Sequence, residues 1–317
     1  MGSTYKIMVA LVALEQVKRG EVSLEDEVTV SEDAAAFATP LYSNDALVAG
    51  EVLSVRGLLA ATLIPSGTDA AYALAEHLGG GGGETGVHKF VEETNQRAQA
   101  FGLEDTRFQN PTGLDTRGQY SSARDLASMA RAAAACPEFR EMVTTDYVTV
   151  TAQDREIELL STDELLFTTP PATGVKTGTT SGAGSSLVAT AAAEDEAYSS
   201  VILDARVDRS VASIWALDHG FAAYDRPDLV AGGEMYAEAD EPYRRGERVG
   251  LVARESVDGL VDGDPEAGRE VRVFEDLPGS AHPARRSVRG DPARRQQGLR
   301  RRRGVGAGVV YSRGDFA

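Results

Sequence analysis

The sequence predicts an α/β (α+β) fold, an antiparallel sheet flanked by helices, with a small C-terminal β domain. Three observations carry this expectation. Residues 3–135 are rich in helical periodicity and helix caps. From residue 146 the period shortens to the alternation of strands. Residues 229–278 alternate in short runs broken by Gly and Pro. At 317 residues, 42% of them hydrophobic, the chain can bury the core of one large domain and a smaller one.

The elements follow in order. "STYKIMVALVALEQVKRG" predicts a helix from about residue 3 to 18, capped by Ser3 or Gly2 and ended by Gly20. Ile7, Met8, Val9, Leu11, Val12 and Leu14 leave it no polar face until Glu15, so it is expected to be buried all round. Residues 27–30 and 52–55 read as short strands. "SVRGLLAATLIPSGTDAAYALAEHLG" reads as two helices broken at Pro65-Ser66-Gly67. The glycines at 79–83 read as a loop, and "VHKFVEETNQRAQAFG" as an amphipathic helix ending at Gly102. "NPTGLD" is turn chemistry, and "SARDLASMARAAAA" is a helix with Ser122 as its cap and Asp125 at the third position. "YVTVTA", "GVKTGTT", "SSLVATAAA" and "AYSSVILDA" are strands, the last two joined by a hairpin-like Glu194-Asp195-Glu196. "DRSVASIWALDHGFAAY" closes the larger domain as a helix.

Charge is unevenly spread. Of the net −17, residues 1–280 carry −25 (22 Lys and Arg against 47 Asp and Glu) and residues 281–317 carry +8 (10 Arg against 2 Asp). An acidic body argues against nucleic acid and anionic membranes as partners. No apolar run is long enough to span a bilayer, and the run at 7–14 lacks the flanks of a signal peptide. Cys136 stands alone in "RAAAACPEF" and reads as a small helix residue. His77, His88, His219 and His282 fit no metal-ligand spacing, so none of them is expected to hold a metal. The expected boundaries are residues 1–226 for the larger domain, 227–280 for the small β domain and 281–317 for an Arg-rich tail. With nine Arg between 285 and 303 and no apolar periodicity, the tail is expected to be disordered. Binding to a polyanion and a shifted reading frame are the other readings of the tail.

Three triplets carry chemistry. Ser3-x-x-Lys6 puts a hydroxyl and an amine on one helix face, near an N-terminus that favours developing negative charge. Burial against the apolar helix would lower the Lys6 pKa and make it a base. Alone, the pattern is a weak signal whose plain reading is a serine cap with a surface lysine; the apolar run that follows argues against that reading, because it would bury Lys6. Ser66-Gly67-Thr68 sits in a non-helical bend that can push Ser66 into a cleft, although a plain helix cap explains it too. Lys176-Thr177-Gly178 lies on a strand, where Lys and Thr can hold a carboxylate and Gly permits close backbone approach. Its plain reading is an edge strand with a solvated lysine. In this order the three correspond to the Ser-x-x-Lys, Ser-x-Asn and Lys-Thr-Gly signature of penicillin-recognising enzymes, with Thr68 at the Asn position.

With "LIPSGTDAAYALAEH", "FGLEDTRFQNPTGLD", "YSSARDLASMAR" and "GVKTGTTSGAGSSLVATA" around them, the chain resembles the serine D-alanyl-D-alanine carboxypeptidases, the low-molecular-weight penicillin-binding proteins of peptidase family S11. The resemblance covers roughly residues 2–225, and more loosely the β segment after 228. It implies a β-lactamase/transpeptidase-like fold, an extracytoplasmic location, and a peptidoglycan stem peptide ending in D-Ala-D-Ala as substrate, with β-lactams as inhibitors. It further implies Ser3 as nucleophile, Lys6 as general base and Ser66 as proton relay, with no metal or cofactor. Lys176 and Thr177 would bind the terminal carboxylate, with Thr68 beside them. The backbone N–H groups of Ser3 and Thr179 would form the oxyanion hole.

Two departures from the family pattern stand out. The family has Asn where this chain has Thr68, so slower turnover with retained acylation is expected. The family also has sheet strands before the Ser-x-x-Lys helix. This sequence opens on that helix, so an unpaired sheet edge is expected. The alternatives are a β-lactamase of the same superfamily, and an N-terminally truncated, inactive wall-peptide-binding protein.

Overall fold

The computed structural model describes residues 1–80, 82–169, 172–193 and 196–223, together with the short stretches 228–230, 233–240, 248–252 and 257–258. The chain divides into two compact units, the second beginning at Phe221. Helix α1 (Lys6–Arg19) runs through the middle of the first unit. Every residue from Ile7 to Leu14 is buried, as expected of a helix with no polar face. Gly20 ends it in the left-handed conformation, φ 73°.

Strand β1 (Glu27–Thr29), the short helix α2 (Glu32–Ala35) and strand β2 (Val52–Ser54) follow, and β1 and β2 pair antiparallel. Helix α3 (Val55–Leu63) is capped by Ser54, whose hydroxyl accepts from Gly57 N. Helix α4 (Thr68–Leu78) resumes after the break at Pro65-Ser66-Gly67. Helix α5 (Gly83–Ala100) takes in the last glycine of the expected loop. Helix α6 (Ala123–Ala134) starts at Ser122, whose hydroxyl accepts from Asp125 N. The Asp125 carboxylate in turn accepts from Asp105 N at 2.9 Å and Thr106 Oγ1 at 2.6 Å, and so fixes the loop after α5.

Several elements were not expected, the short helix α2 and the partner of the "YVTVTA" strand among them. Helix α7 (Pro137–Thr144) is a short amphipathic turn with Pro at its first position, burying Phe139, Met142 and Val143. Strand β3 (Tyr147–Ala152) pairs antiparallel with β4 (Arg155–Leu160), where Ile157 and Leu159 point inward between charged residues. After helix α8 (Leu165–Thr168), strands β5 (Ala172–Thr180), β6 (Gly184–Ala193) and β7 (Glu196–Ile202) form a three-stranded antiparallel sheet in the order β5-β6-β7. Among the described residues no further strand joins it. Helix α9 (Arg209–Ala223) packs on this sheet, with Ser213 bonded to Ser200 at 2.7 Å.

In the second unit, β8 (Asp228–Val230) pairs with β11 (Val257–Asp258), and β9 (Met235–Asp240) with β10 (Arg248–Val252). The rest of the expected small β domain and the Arg-rich tail lie outside the described residues. Among the described residues no helix is long and apolar enough to cross a membrane.

Candidate active site

The expected helix does not begin at Ser3. Gly2–Tyr5 form a 3-10 turn, and the α-helix starts at Lys6 with no side-chain cap. Tertiary packing explains the tighter turn, because β5 runs directly against it. A Cβ built on Gly178 would stand 3.1 Å from Ser3 N and 3.0 Å from Thr4 N, so only glycine permits this approach. From the other side, a Cβ on Gly2 would stand 3.3 Å from Thr179 N. The two expected oxyanion donors, Ser3 N and Thr179 N, therefore lie on backbone segments in contact. Ser3 is half-buried, while Tyr5 and Thr4 on the same turn are fully buried.

Lys6 is 0% exposed. Its Nζ donates to Ser66 O at 2.6 Å and makes long contacts with Ser3 Oγ at 3.4 Å and Thr68 Oγ1 at 3.5 Å. Desolvation lowers its pKa to about 7, against the opposing pull of Asp45 and Asp69. A neutral amine has two N–H donors and one lone pair. With Ser66 O and Thr68 Oγ1 as acceptors, the lone pair is left for the Ser3 hydroxyl.

Ser66 occupies the bend between α3 and α4 with φ 72°, a region non-glycine residues avoid at a cost of about 1–3 kcal/mol. The bend is over-determined. Gly67 N donates to Ala61 O at 2.9 Å and Thr68 N to Ser43 O at 2.9 Å. The Asp69 carboxylate accepts from the N–H groups of Asp45, Leu47 and Ala70. Ser66 and Thr68 are both buried, and the strained turn delivers the Ser66 carbonyl to Lys6.

Strand alternation on β5 separates Lys176 from Thr177 and Thr179. Lys176 is 1% exposed, and its Nζ donates to Thr177 O at 3.3 Å. Its pKa is lowered well below that of a free lysine by desolvation first, then by the like charges of Lys6 and Arg209. Thr177 Oγ1 bonds Thr162 Oγ1 at 2.7 Å. Arg209, at the start of α9, donates to Thr179 Oγ1 at 3.0 Å and reaches Thr162 O at 3.5 Å. Asp163 is buried beside them, and desolvation raises its pKa.

The structure thus brings Ser3, Lys6, Ser66, Thr68, Lys176, Thr177 and Thr179 to one place, although they span most of the first unit. Reading the sequence missed Thr162, Arg209, Asp45 and Asp163 around them. It also missed Asp115, whose carboxylate accepts from Thr180 Oγ1 at 2.6 Å and Gly182 N at 2.7 Å and clamps the β5–β6 turn. The "NPTGLD" turn was the available signal for Asp115; the others sit in segments with no motif.

Comparison with known proteins gives a consistent picture. The family described as D-alanyl-D-alanine carboxypeptidase (Peptidase S11) matches residues 1–207. The D-alanyl-D-alanine carboxypeptidase DacF of Bacillus subtilis is 32% identical over 239 residues, covering 74% of this chain and 59% of that protein. DacD of Escherichia coli is 36% identical over 197 residues, covering 60% of this chain and 48% of that protein. The chain therefore spans about half to three fifths of the length of these curated relatives. The crystal structure of a Streptomyces DD-transpeptidase superposes with a TM-score of 0.66 at 31% identity, covering 70% of this chain and 87% of that one. The fold is accordingly of the β-lactamase/transpeptidase type.

Proposed function

The chain belongs to the D-alanyl-D-alanine carboxypeptidase family of serine peptidases, and from that premise we propose that it removes the terminal D-Ala from peptidoglycan stem peptides through an acyl-enzyme on Ser3. The observation that carries the reading is the fully buried Lys6 amine, 3.4 Å from Ser3 Oγ and held by the Ser66 carbonyl. In this reading Ser3 Oγ attacks the carbonyl of the penultimate D-Ala and its proton passes to Lys6. The oxyanion collects at the backbone N–H groups of Ser3 and Thr179. As the C–N bond breaks, Ser66 relays the proton from Lys6 to the leaving amine. Water then attacks the ester, gives its proton to Lys6, and Ser3 is restored.

Lys176 and Thr177 hold the terminal carboxylate, and Arg209 adds a cation at the rim beside Thr179. The same geometry suits the carboxylate and strained amide of a β-lactam, so penicillin is expected to acylate Ser3. A peptidoglycan substrate supports a reaction on the wall side of the membrane. Labelling with a fluorescent penicillin tests the nucleophile: loss of label in Ser3→Ala is expected, and equal labelling would sink the assignment. Steady D-Ala release from a D-Ala-D-Ala peptide separates this reading from a silent binding protein, and rapid nitrocefin turnover would favour a β-lactamase.

A further inference from the structure

Asp45 lies in the loop before β2, outside every motif named above. Its residue is 7% exposed, and Oδ2 is buried with no hydrogen-bond partner among the described residues. Such a group is rare, because an unpaired buried polar atom costs stability. The loop is nevertheless pinned. Asp45 N donates to both Asp69 carboxylate oxygens at 3.1 and 3.0 Å, and Leu47 N donates to Asp69 Oδ2 at 3.1 Å. The Asp45 carboxyl lies on Gly67: a Cβ there would run into Oδ2 and come within 2.8 Å of Cγ. The central glycine of the Ser66-Gly67-Thr68 turn is thus the space this carboxyl occupies.

We infer that Asp45 is a positioning residue for acylation, its buried carboxyl against Gly67 governing whether Lys6 carries a proton. This rests on the reading of Ser3 and Lys6 as nucleophile and base. The charged groups facing Asp45 are Asp69 on α4, Lys6 on α1 and Lys176 on β5. Lys6 faces the same two carboxyls and Lys176. Farther out, Asp163 and Arg209 face Lys176, and Arg155 faces Asp69. Burial, with the neighbouring Asp69 charge, pushes Asp45 up to about 8, while burial brings Lys6 down to about 7. A charged Asp45 favours the protonated form of Lys6, and burial disfavours charge on both. A neutral Asp45 leaves Lys6 free to act as a base. A charged Asp45 holds the proton on Lys6 and blocks the base. During acylation the Ser3 proton enters on Lys6 and leaves through Ser66, so Asp45 ends the cycle with the proton count it began with.

The test is the pH profile of penicillin acylation in the full chain and in Asp45→Asn. Removing the carboxylate removes the negative charge that favours the proton on Lys6. The ascending limb is then expected to move toward acid by about 1 pH unit. An unshifted limb, whether at full rate or at a uniformly reduced rate, overturns the proposal and leaves Asp45 a structural residue. Asp45→Ser repeats the test if the Asn variant fails to fold. A 13C titration of the wild-type Asp45 carboxyl reads the coupling without any activity. Ionisation near the ordinary carboxylate range would overturn the proposal, and ionisation near pH 8 supports it. Absence of Ser3 labelling in the wild type would instead overturn the proposed function, and the titration would still decide the coupling.

Discussion

The site buries one lysine on its helical wall and another on its strand wall, and the two differ in their neighbours rather than in their burial. On the helical wall, Lys6 meets three oxygens, from Ser66, Ser3 and Thr68, and faces two carboxyls. On the strand wall, Lys176 donates to Thr177 O and lies between like charges, Lys6 and Arg209, with Asp163 as the nearer compensation. Desolvation pushes both toward the neutral amine. The surrounding groups decide what each amine is useful for. Lys6 has a hydroxyl placed to give it a proton. Lys176 faces a second lysine and a guanidinium, where an incoming carboxylate would add counter-charge to that of Asp163. In the proposed function, one residue type at one depth is thus divided into a base and an anion anchor by what surrounds it.

The sharpest way to break this comparison is Lys6→Met. Loss of a positioned general base is expected to lower kcat/KM for acylation by about 10²–10⁴-fold; an effect as small as that at Lys176 would end the division of roles. The same variant has a stability signature. The folded Lys6 pKa of about 7 lies below the 10.5 of the unfolded chain, so between those values the unfolded state binds more protons. Wild-type stability therefore rises with pH across that window, and the burden of burying a charged lysine is fully present below it. Thermal unfolding should show the gap between Lys6→Met and wild type closing from pH 7 to 10.5.

The strand wall gives the intermediate effect. Lys176→Met should lower kcat/KM by about 10- to 100-fold through lost carboxylate binding, the scale of one charged hydrogen bond. The loss should appear in KM, and a substrate with its terminal carboxylate amidated should be indifferent to the change. Raising the pH should mimic the variant in the wild type as Lys176 loses its proton. Arg209→Gln should cost less, about 5-fold or under, because a guanidinium nearer solvent is screened. A kcat effect with unchanged KM in either variant would transfer that residue to the chemistry.

Much of this division was legible in the sequence. The three triplets are local, and each places its side chains by backbone geometry alone: a helix turn, a Pro-Gly bend, a strand. The apolar run after Lys6 already required its burial. What stayed hidden is the tuning. Asp45, Thr162, Asp163 and Arg209 belong to residue types that occur anywhere, in loops and at a helix start that only the tertiary fold brings to the lysines. The 3-10 turn at Ser3 was equally invisible, because it follows from contact with Gly178, far along the chain. Strand β4 was missed for a local reason. "REIELL" carries three charged residues, and its pattern of Ile157 and Leu159 facing inward emerges only against β3.

Thr68 offers the finest adjustment of the helical wall. Its hydroxyl is buried, 2% exposed, and stands 3.5 Å from Lys6 Nζ, too far for a strong hydrogen bond. A single hydroxyl must serve both the base and any substrate amide that enters. An asparagine at this position reaches farther and offers an acceptor to Lys6 and a donor to substrate at once. Thr68→Asn is therefore expected to raise steady-state D-Ala release by about 2- to 10-fold, the scale of one net hydrogen bond, with little change in penicillin labelling of Ser3. The prediction is directional, since most substitutions at a buried catalytic position slow an enzyme. A fall in D-Ala release, with the variant folded and still labelled, would mean that the turn is already matched to threonine and that the helical wall is limited elsewhere.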